Sequence, residues 1–294
     1  MHTPVLIKEV LNFLDCRSGA NYLDCTFGGG GHSREIIMRI LPDGKLFAID
    51  KDPQAVVRGR ELEEEYPDNF FIWQKDFATL DKFAKEVQLP PLKGILFDLG
   101  VSSFQLLEEP GRGFSFSQDG PLDMRYDPCD FLNASWVINR FSVLELAKLF
   151  RYYGEEKKAY TIARAIVNQR KKKAFTSTKE LAETVARVKG YKGKIHPATK
   201  VFLALRLFVN RELEALEKGI KYAFPLLEKG GTLCVISFHS LEDRIVKRFF
   251  KKLSAQGEAI VLTPKPVVPL KEEISFNHRA RSAKLRALKK IKKS

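Results

Sequence analysis

A run of four glycines and two aspartates at fixed distances from it hold the most legible chemistry in this 294-residue chain. Asp24-Cys25-Thr26-Phe27-Gly28-Gly29-Gly30-Gly31-His32-Ser33 joins a short apolar segment to a stretch with helical spacing. Glycines let a backbone turn sharply and come closer to a ligand than any Cβ permits. By itself such a run is only a tight strand-to-helix turn. Asp50, 20 positions after Gly30, ends the next apolar segment, where a carboxylate accepts bonds from ribose hydroxyls. Loop and acid together point to a nucleoside cofactor. A further acid, Asp98, opens Asp98-Leu99-Gly100-Val101-Ser102-Ser103 at the end of another apolar segment. That is the strand end at which α/β proteins bind ligands.

The pattern also discriminates between cofactors. A dinucleotide site uses G-x-G-x-x-G/A to bring a helix N-terminus against pyrophosphate. Here Gly28-x-Gly30-x-x-Ser33 carries serine at the third position. Polar groups recur at the predicted sheet ends, with Asp76-Phe77 after the third strand and Asp98 after the fourth. Acidic and apolar groups suit an adenine ring and the ammonium of a methionine moiety, with no phosphate to neutralise. S-adenosylmethionine is the expected cofactor, and NAD the rival.

Positioning these groups requires a parallel sheet wrapped by helices. After an opening helix (5–13), strands are expected at 20–25, 45–50, 70–74 and 94–99, with helices at 33–40 and 55–65 and another before the fourth strand. From about Gln105 to Leu122 the chain is rich in Gly, Pro, Ser and Phe, a loop signature. Helical periodicity without clear strands follows over 131–222. One helix begins at Ser142, others span 156–172 and 178–188, and one long helix spans 200–223. Strand pattern resumes at 230–237, followed by a helix at 241–253 and strands at 259–263 and 283–288. The expected organisation is one α/β domain (1–110 and 213–294) interrupted by an all-helical insertion (111–212) for RNA or substrate recognition, with a basic tail at the end.

Composition bounds the function. Fifty Lys and Arg against 36 Asp and Glu give a formal charge of +14, which makes a polyanionic partner a serious candidate beside a plain solvated surface. The cations gather in three places: Arg164 with Arg170-Lys171-Lys172-Lys173; Lys247, Arg248, Lys251 and Lys252; and Arg279, Arg281, Lys284, Arg286, Lys289, Lys290, Lys292 and Lys293. The loop Arg112-Gly113-Phe114-Ser115-Phe116 adds an arginine and two aromatics that suit phosphate or base contact, or a surface loop. Four scattered cysteines make no C-x-x-C pair, which argues against a zinc knuckle or disulfide framework. No secretory or membrane segment is expected, so the cytoplasm is the default compartment. His32, His196 and His239 have no metal-ligand spacing, so no metal is expected. His239 and Phe238 follow a strand end near the predicted active edge, which leaves them either substrate contacts or packing.

Four long segments carry a resemblance. They are Thr26-Phe27-Gly28-Gly29-Gly30-Gly31-His32-Ser33; Asp98-Leu99-Gly100-Val101-Ser102-Ser103; Arg112-Gly113-Phe114-Ser115-Phe116 with Asp119-Gly120-Pro121-Leu122-Asp123-Met124-Arg125; and Ile236-Ser237-Phe238-His239-Ser240-Leu241-Glu242-Asp243-Arg244. Tyr153-Gly154-Glu155-Glu156, His196-Pro197-Ala198-Thr199 and Asn277-His278-Arg279-Ala280-Arg281-Ser282 extend it nearly end to end. Together they resemble the bacterial small-subunit ribosomal RNA cytosine-N4 methyltransferase family. The resemblance implies a Rossmann-like class I methyltransferase sheet with an all-helical insertion, S-adenosylmethionine as methyl donor, and small-subunit RNA or the assembled subunit as partner. A homodimer is a further expectation. It places Gly30, Gly31 and His32 along the cofactor loop, Asp50 on the ribose and Phe77 near the adenine, with Asp98 and Gln105 completing the pocket. One departure from amino-methyltransferases at large is Asp-Leu-Gly-Val where many carry Asp/Asn/Ser-Pro-Pro-aromatic. The expected catalytic group is Asp98, acting by positioning an amine rather than as a strong base. The rival readings are an NAD-linked oxidoreductase, a non-catalytic RNA-binding or ribosome-assembly protein, and a DNA amino-methyltransferase.

Overall fold

The computed structural model describes residues 4–107, 110–191 and 195–292. They fall into two compact units, 1–100 with 213–294, and 101–212. The sequence reading placed the first of these boundaries at 110/111.

The first unit begins with α1 (Ile7–Leu14), β1 (Asn21–Asp24), α2 (Gly31–Ile40), β2 (Lys45–Asp50), α3 (Pro53–Glu65), β3 (Phe70–Gln74), α4 (Leu80–Glu86) and β4 (Leu92–Asp98). The second unit holds α5 (Ser103–Leu107), α6 (Ala134–Arg140), α7 (Val143–Tyr152), α8 (Ala159–Arg170), α9 (Thr178–Lys189) and α10 (Thr199–Val209). The chain returns through α11 (Glu212–Leu226), β5 (Leu227–Ser237), α12 (Ser240–Ala255), β6 (Ala259–Val261), α13 (Lys271–Phe276) and β7 (Lys284–Lys290).

The strands form one sheet in the order β3-β2-β1-β4-β5-β7-β6. The first five in that order run parallel, whereas β7 pairs antiparallel with both β5 and β6. Period-two alternation sorts the strand residues into two cores. Tyr22, Leu46, Ala48, Leu96, Cys234 and Ile236 face a layer that includes Val10, Ile36, Ile37 and Leu62 from α1 to α3. Leu23, Phe47, Ile49, Phe97, Leu233 and Val235 face the layer with Phe83, Leu216, Ile220 and Phe250 from α4, α11 and α12. Both faces are covered, so the strands read as nearly continuous apolar runs. Chain order reverses between β1 and β4, which opens a crevice beyond their carboxyl ends.

The second unit has its own core, with Val137, Phe150, Ile162, Ile166, Leu181, Val185, Phe202 and Leu205 buried together. Its helix starts are written in the sequence. Ser142 and Glu145 form a reciprocal capping box on α7, Asn133 caps α6 and Ser177 caps α9.

Two expectations change. The single helix over 200–223 is two: Asn210 caps the end of the first, and the chain leaves the helical path at the next residue. The Asn210 side chain accepts the Tyr126 N–H at 2.7 Å and donates to the Met124 carbonyl at 2.7 Å, and Arg211 then adopts φ +52°. The 105–122 loop contains the end of α5 and a 3₁₀ turn at Pro110–Arg112. The basic tail is largely β7, the strand expected at 283–288.

Candidate active site

Asp24 ends β1 and is fully buried, a costly place for a carboxylate without partners. It accepts from Ser33 Oγ at 2.7 Å and from the Thr26 N–H at 3.0 Å. Burial raises its pKa while these bonds oppose the rise. Asp24 thereby fixes the turn between β1 and α2. Inside that turn Gly30 sits at φ +75°, a left-handed conformation that suits glycine, and a Cβ there would meet the Phe27 ring at 2.6 Å. Thr26 completes the hinge, its Oγ1 accepting the Asp98 N–H at 2.6 Å. One threonine thus ties the glycine turn to the end of β4.

Asp50 ends β2 and faces the same turn. Its Oδ2 accepts the Gly28 N–H at 2.7 Å and its Oδ1 the Asp52 N–H at 2.8 Å. Both oxygens keep lone pairs for further donors. Burial pushes its carboxyl up to about 6, against the pull of these two bonds. At the end of β3, Asp76 accepts the Ala78 N–H at 2.8 Å and starts the 3₁₀ turn Phe77–Thr79. The Phe77 ring meets Phe97 edge-on at 5.4 Å. It also lies over Gly219 of α11, where a Cβ would approach the ring to 2.7 Å.

Asp98 has the most unusual surroundings. Its Oδ2 lies 3.5 Å from His32 Nδ1, and its Oδ1 is buried without a hydrogen-bond partner. Burial, then the Asp24 and Glu242 carboxylates, push its pKa well above the usual carboxylate range. An orphaned carboxyl oxygen at a strand end is an acceptor held ready for an N–H or O–H donor. His32, itself buried, bonds through Nε2 to the Val5 carbonyl at 3.0 Å.

The fold therefore gathers Gly30, Gly31, His32, Asp50, Phe77 and Asp98 around the carboxyl ends of β1 to β4. Gln105 belongs to the second unit, where it is buried and its Oε1 accepts the Ser102 N–H at 2.8 Å. Sequence reasoning missed Thr26, Ser33 and Gly219 as supporting groups. The Asp24-x-Thr26 spacing and the serine that breaks the dinucleotide fingerprint were the available signals for the first two. Gly219, remote in sequence, gave none.

Other candidates resolve into structure. His239 caps α12, with Nδ1 accepting the Glu242 N–H at 3.4 Å and Nε2 lying 3.0 Å from the Glu242 carboxylate. Phe238 packs against the first core. His196 stacks on Phe116 at 4.4 Å. In the Arg112 loop, the guanidinium donates to the Arg125 and Tyr126 carbonyls and Phe114 is buried against Tyr126. Of the third basic cluster, Arg286 pairs with Asp243 at 2.6 Å, and Lys290 is buried, donating to the Pro225 and Leu227 carbonyls. Lys284 lies 3.7 Å from Asp243. Arg281, Lys289 and Lys292 are exposed, as are Lys247, Arg248, Lys251 and Lys252 on α12; Lys293 lies outside the described residues. In the second unit Arg170 donates to the Ile138 carbonyl and Lys173 pairs with Glu180, whereas Arg164, Lys171 and Lys172 are exposed. No cluster of three or more His, Cys, Asp or Glu that would hold a metal occurs among the described residues.

A parallel sheet with a reversed strand between β5 and β6, and acids in place of phosphate-binding cations at its switch point, is the S-adenosylmethionine-dependent, class I form of the methyltransferase fold. The match to known sequences is specific: the chain belongs to the MraW methylase family, whose profile covers residues 1–291. It is 48% identical to the ribosomal RNA small subunit methyltransferase H of Thermomicrobium roseum, over 99% of this chain and 94% of that one. It is 45% identical to the same-named protein of Persephonella marina, over 99% of both chains. For that of Carboxydothermus hydrogenoformans the identity is 43%, over 99% and 98%. The chain is an enzyme of the methyltransferase class.

Proposed function

We propose that this enzyme transfers the methyl group of S-adenosylmethionine to the N4 exocyclic amine of a cytosine in small-subunit ribosomal RNA. The observation that carries the reading is the orphaned Asp98 Oδ1 at the sheet's switch point, in a chain nearly half identical to small-subunit RNA methyltransferases.

The residues fit the donor. Asp50 keeps lone pairs for ribose hydroxyls while two backbone N–H groups fix its orientation. Phe77 offers an apolar surface for the adenine, held in place by Phe97 and Gly219. Gly30, Gly31 and His32 form the loop against which the cofactor packs, and Asp98 bounds it at the end of β4. When bound, the cofactor supplies an electrophilic methyl on sulfur. This chain supplies position. The N4 lone pair is delocalised into the cytosine ring, so the amine must be held and partly rehybridised before it attacks. Asp98 Oδ1, accepting one N–H, keeps the amine's lone pair turned toward the methyl group. A strong base is unnecessary, because the methylated amine cation sheds its proton readily.

Residues 101–212 serve as the RNA-recognition unit in this reading, with exposed cations at Arg164, Lys171 and Lys172, and α12 adds Lys247, Arg248, Lys251 and Lys252. In this reading the partner is small-subunit ribosomal RNA or the assembled small subunit, and the compartment is the cytoplasm. No described helix is long and apolar enough to cross a membrane.

The test is methyl transfer from labelled S-adenosylmethionine to small subunits from cells lacking this protein, with the modified nucleoside identified by mass spectrometry. N4-methylcytidine at one site is the expected product. Cofactor binding without transfer to this RNA would overturn the reading in favour of another nucleic-acid substrate or a non-catalytic assembly role.

A further inference from the structure

A chain of contacts runs from α13 into the active site through the segment that precedes α1. Glu273 Oε1 accepts the Leu6 N–H at 2.8 Å, pinning the backbone where Leu6 takes φ +55°. Pro4, two residues earlier, lies against the glycine loop so closely that a Cβ on Gly31 would meet its ring at 2.5 Å. Between them the Val5 carbonyl receives His32 Nε2 at 3.0 Å. A carbonyl has no proton to give, so Nε2 must carry one. In the neutral ring the other nitrogen, Nδ1, is then a lone-pair acceptor, and Nδ1 faces Asp98 Oδ2 at 3.5 Å.

We propose that His32 is a positioning residue: held by the Val5 carbonyl, it confines the proton it shares with Asp98 to the Oδ2–Nδ1 side, so that Asp98 Oδ1 always meets its ligand as an acceptor. Two forms of the pair are available. Either Asp98 is neutral with its hydrogen on Oδ2, or it is ionised beside an imidazolium. Oδ1 presents lone pairs in both. Without Nδ1, a neutral Asp98 is free to carry its hydrogen on Oδ1, which turns the acceptor into a donor that repels an incoming N–H. The surroundings favour a neutral carboxyl there, since Asp24 of β1 and Glu242 of α12 both bear on Asp98. The N–H donor is the cytosine N4 amine or the ammonium of the cofactor's methionine part. The inference rests on the proposed methyl transfer, and the two fail differently.

The test compares His32→Gln with the wild type. Glutamine keeps an amide N–H for the Val5 carbonyl but offers nothing at the Nδ1 position. With saturating small subunits, the variant's activity is expected to climb as pH rises, because only the ionised Asp98 then accepts. At the acid end of the profile its turnover falls at least roughly tenfold below wild type, and the gap narrows steadily as pH rises. A loss in kcat assigns the accepted N–H to cytosine, and a rise in KM for S-adenosylmethionine assigns it to the cofactor's ammonium. Independently of turnover, ¹⁵N NMR of the ligand-free protein should show His32 as the Nε2–H tautomer, with an Nδ1 resonance that moves in Asp98→Asn. A variant profile parallel to wild type at every pH, or an Nδ1 resonance indifferent to Asp98→Asn, overturns the inference. If the wild type transfers no methyl at all, it is the proposed function that falls.

Discussion

Replacing Asp50 with asparagine changes one oxygen into an amide and nothing else in shape. In the native site the two carboxylate oxygens accept two backbone N–H groups, from Gly28 and Asp52. Asparagine has one carbonyl oxygen, so one N–H must face its amide nitrogen. A buried donor left without an acceptor costs about 1–3 kcal/mol, and the glycine turn that Gly28 belongs to is the first thing to relax. Ribose hydroxyls also lose one of two acceptor atoms. If the whole cost is taken from the cofactor complex, affinity for S-adenosylmethionine falls between about 5-fold and 150-fold. Isothermal titration calorimetry at neutral pH measures it directly. The wild type carries a second signature. Its Asp50 carboxyl is raised to about 6 by burial, so affinity should weaken as pH falls through that value and the accepting charge is neutralised. The sign for the ligand-free fold is opposite: a carboxyl raised on folding favours the native state when protonated, and that stability is lost as pH rises through about 6. Asp50→Asn should abolish both trends. An asparagine variant that binds cofactor as tightly as wild type, with the same pH dependence, refutes the assignment of Asp50 to the ribose.

Thr26→Val removes the oxygen that receives the Asp98 N–H and should cost about 1–3 kcal/mol of stability in urea titration; it should also lower kcat, which single-turnover methylation reads. Lys290→Met keeps the buried stem but strips two carbonyls at the α11–β5 junction of their donor, and should destabilise the fold by about 2–4 kcal/mol in urea titration. Reversing Lys247, Arg248, Lys251 and Lys252 to glutamate should leave cofactor binding intact. The same reversal should flatten the salt dependence of RNA binding by up to about 0.7 log units for each phosphate no longer neutralised, and an unchanged slope removes α12 from the RNA surface.

The parallel half of the sheet was legible because its strands are buried on both faces and bounded by turns. Segment 70–74 is predicted and found to the residue, and Asp50 and Asp98 fall at the strand ends where periodicity puts them. Misread features were governed by partners distant in sequence. The break between α10 and α11 depends on Asn210 reaching Met124 and Tyr126, a pairing over more than 80 positions that no local propensity reports. Lys290 and Arg286 look like a solvated basic tail in composition, yet alternate with Leu285, Ala287 and Leu288 in a strand whose cations find carbonyls and Asp243. His239 resembled a substrate contact because it follows a strand end; its ring instead caps α12, a role usually taken by serine or aspartate. The glycine loop was readable, but the tie from Thr26 to Asp98 across 72 positions was not.

The place of β7 in the sheet sets an order on folding. Synthesis delivers β1 to β4 first, and they can pair as soon as they leave the ribosome. β6 is made before β7, yet among the described residues it pairs with β7 and no other strand. β5 likewise presents an open edge until residues 284–290 arrive. Among the described residues β7, the last of the seven strands in chain order, is therefore the wedge that closes the sheet, joining β6 to the rest through two antiparallel ladders. A nascent chain arrested before residue 284 carries an unsealed edge on β5, a template for aggregation and a target for quality control. For this enzyme the sheet is sealed only once residues 284–290 have been made.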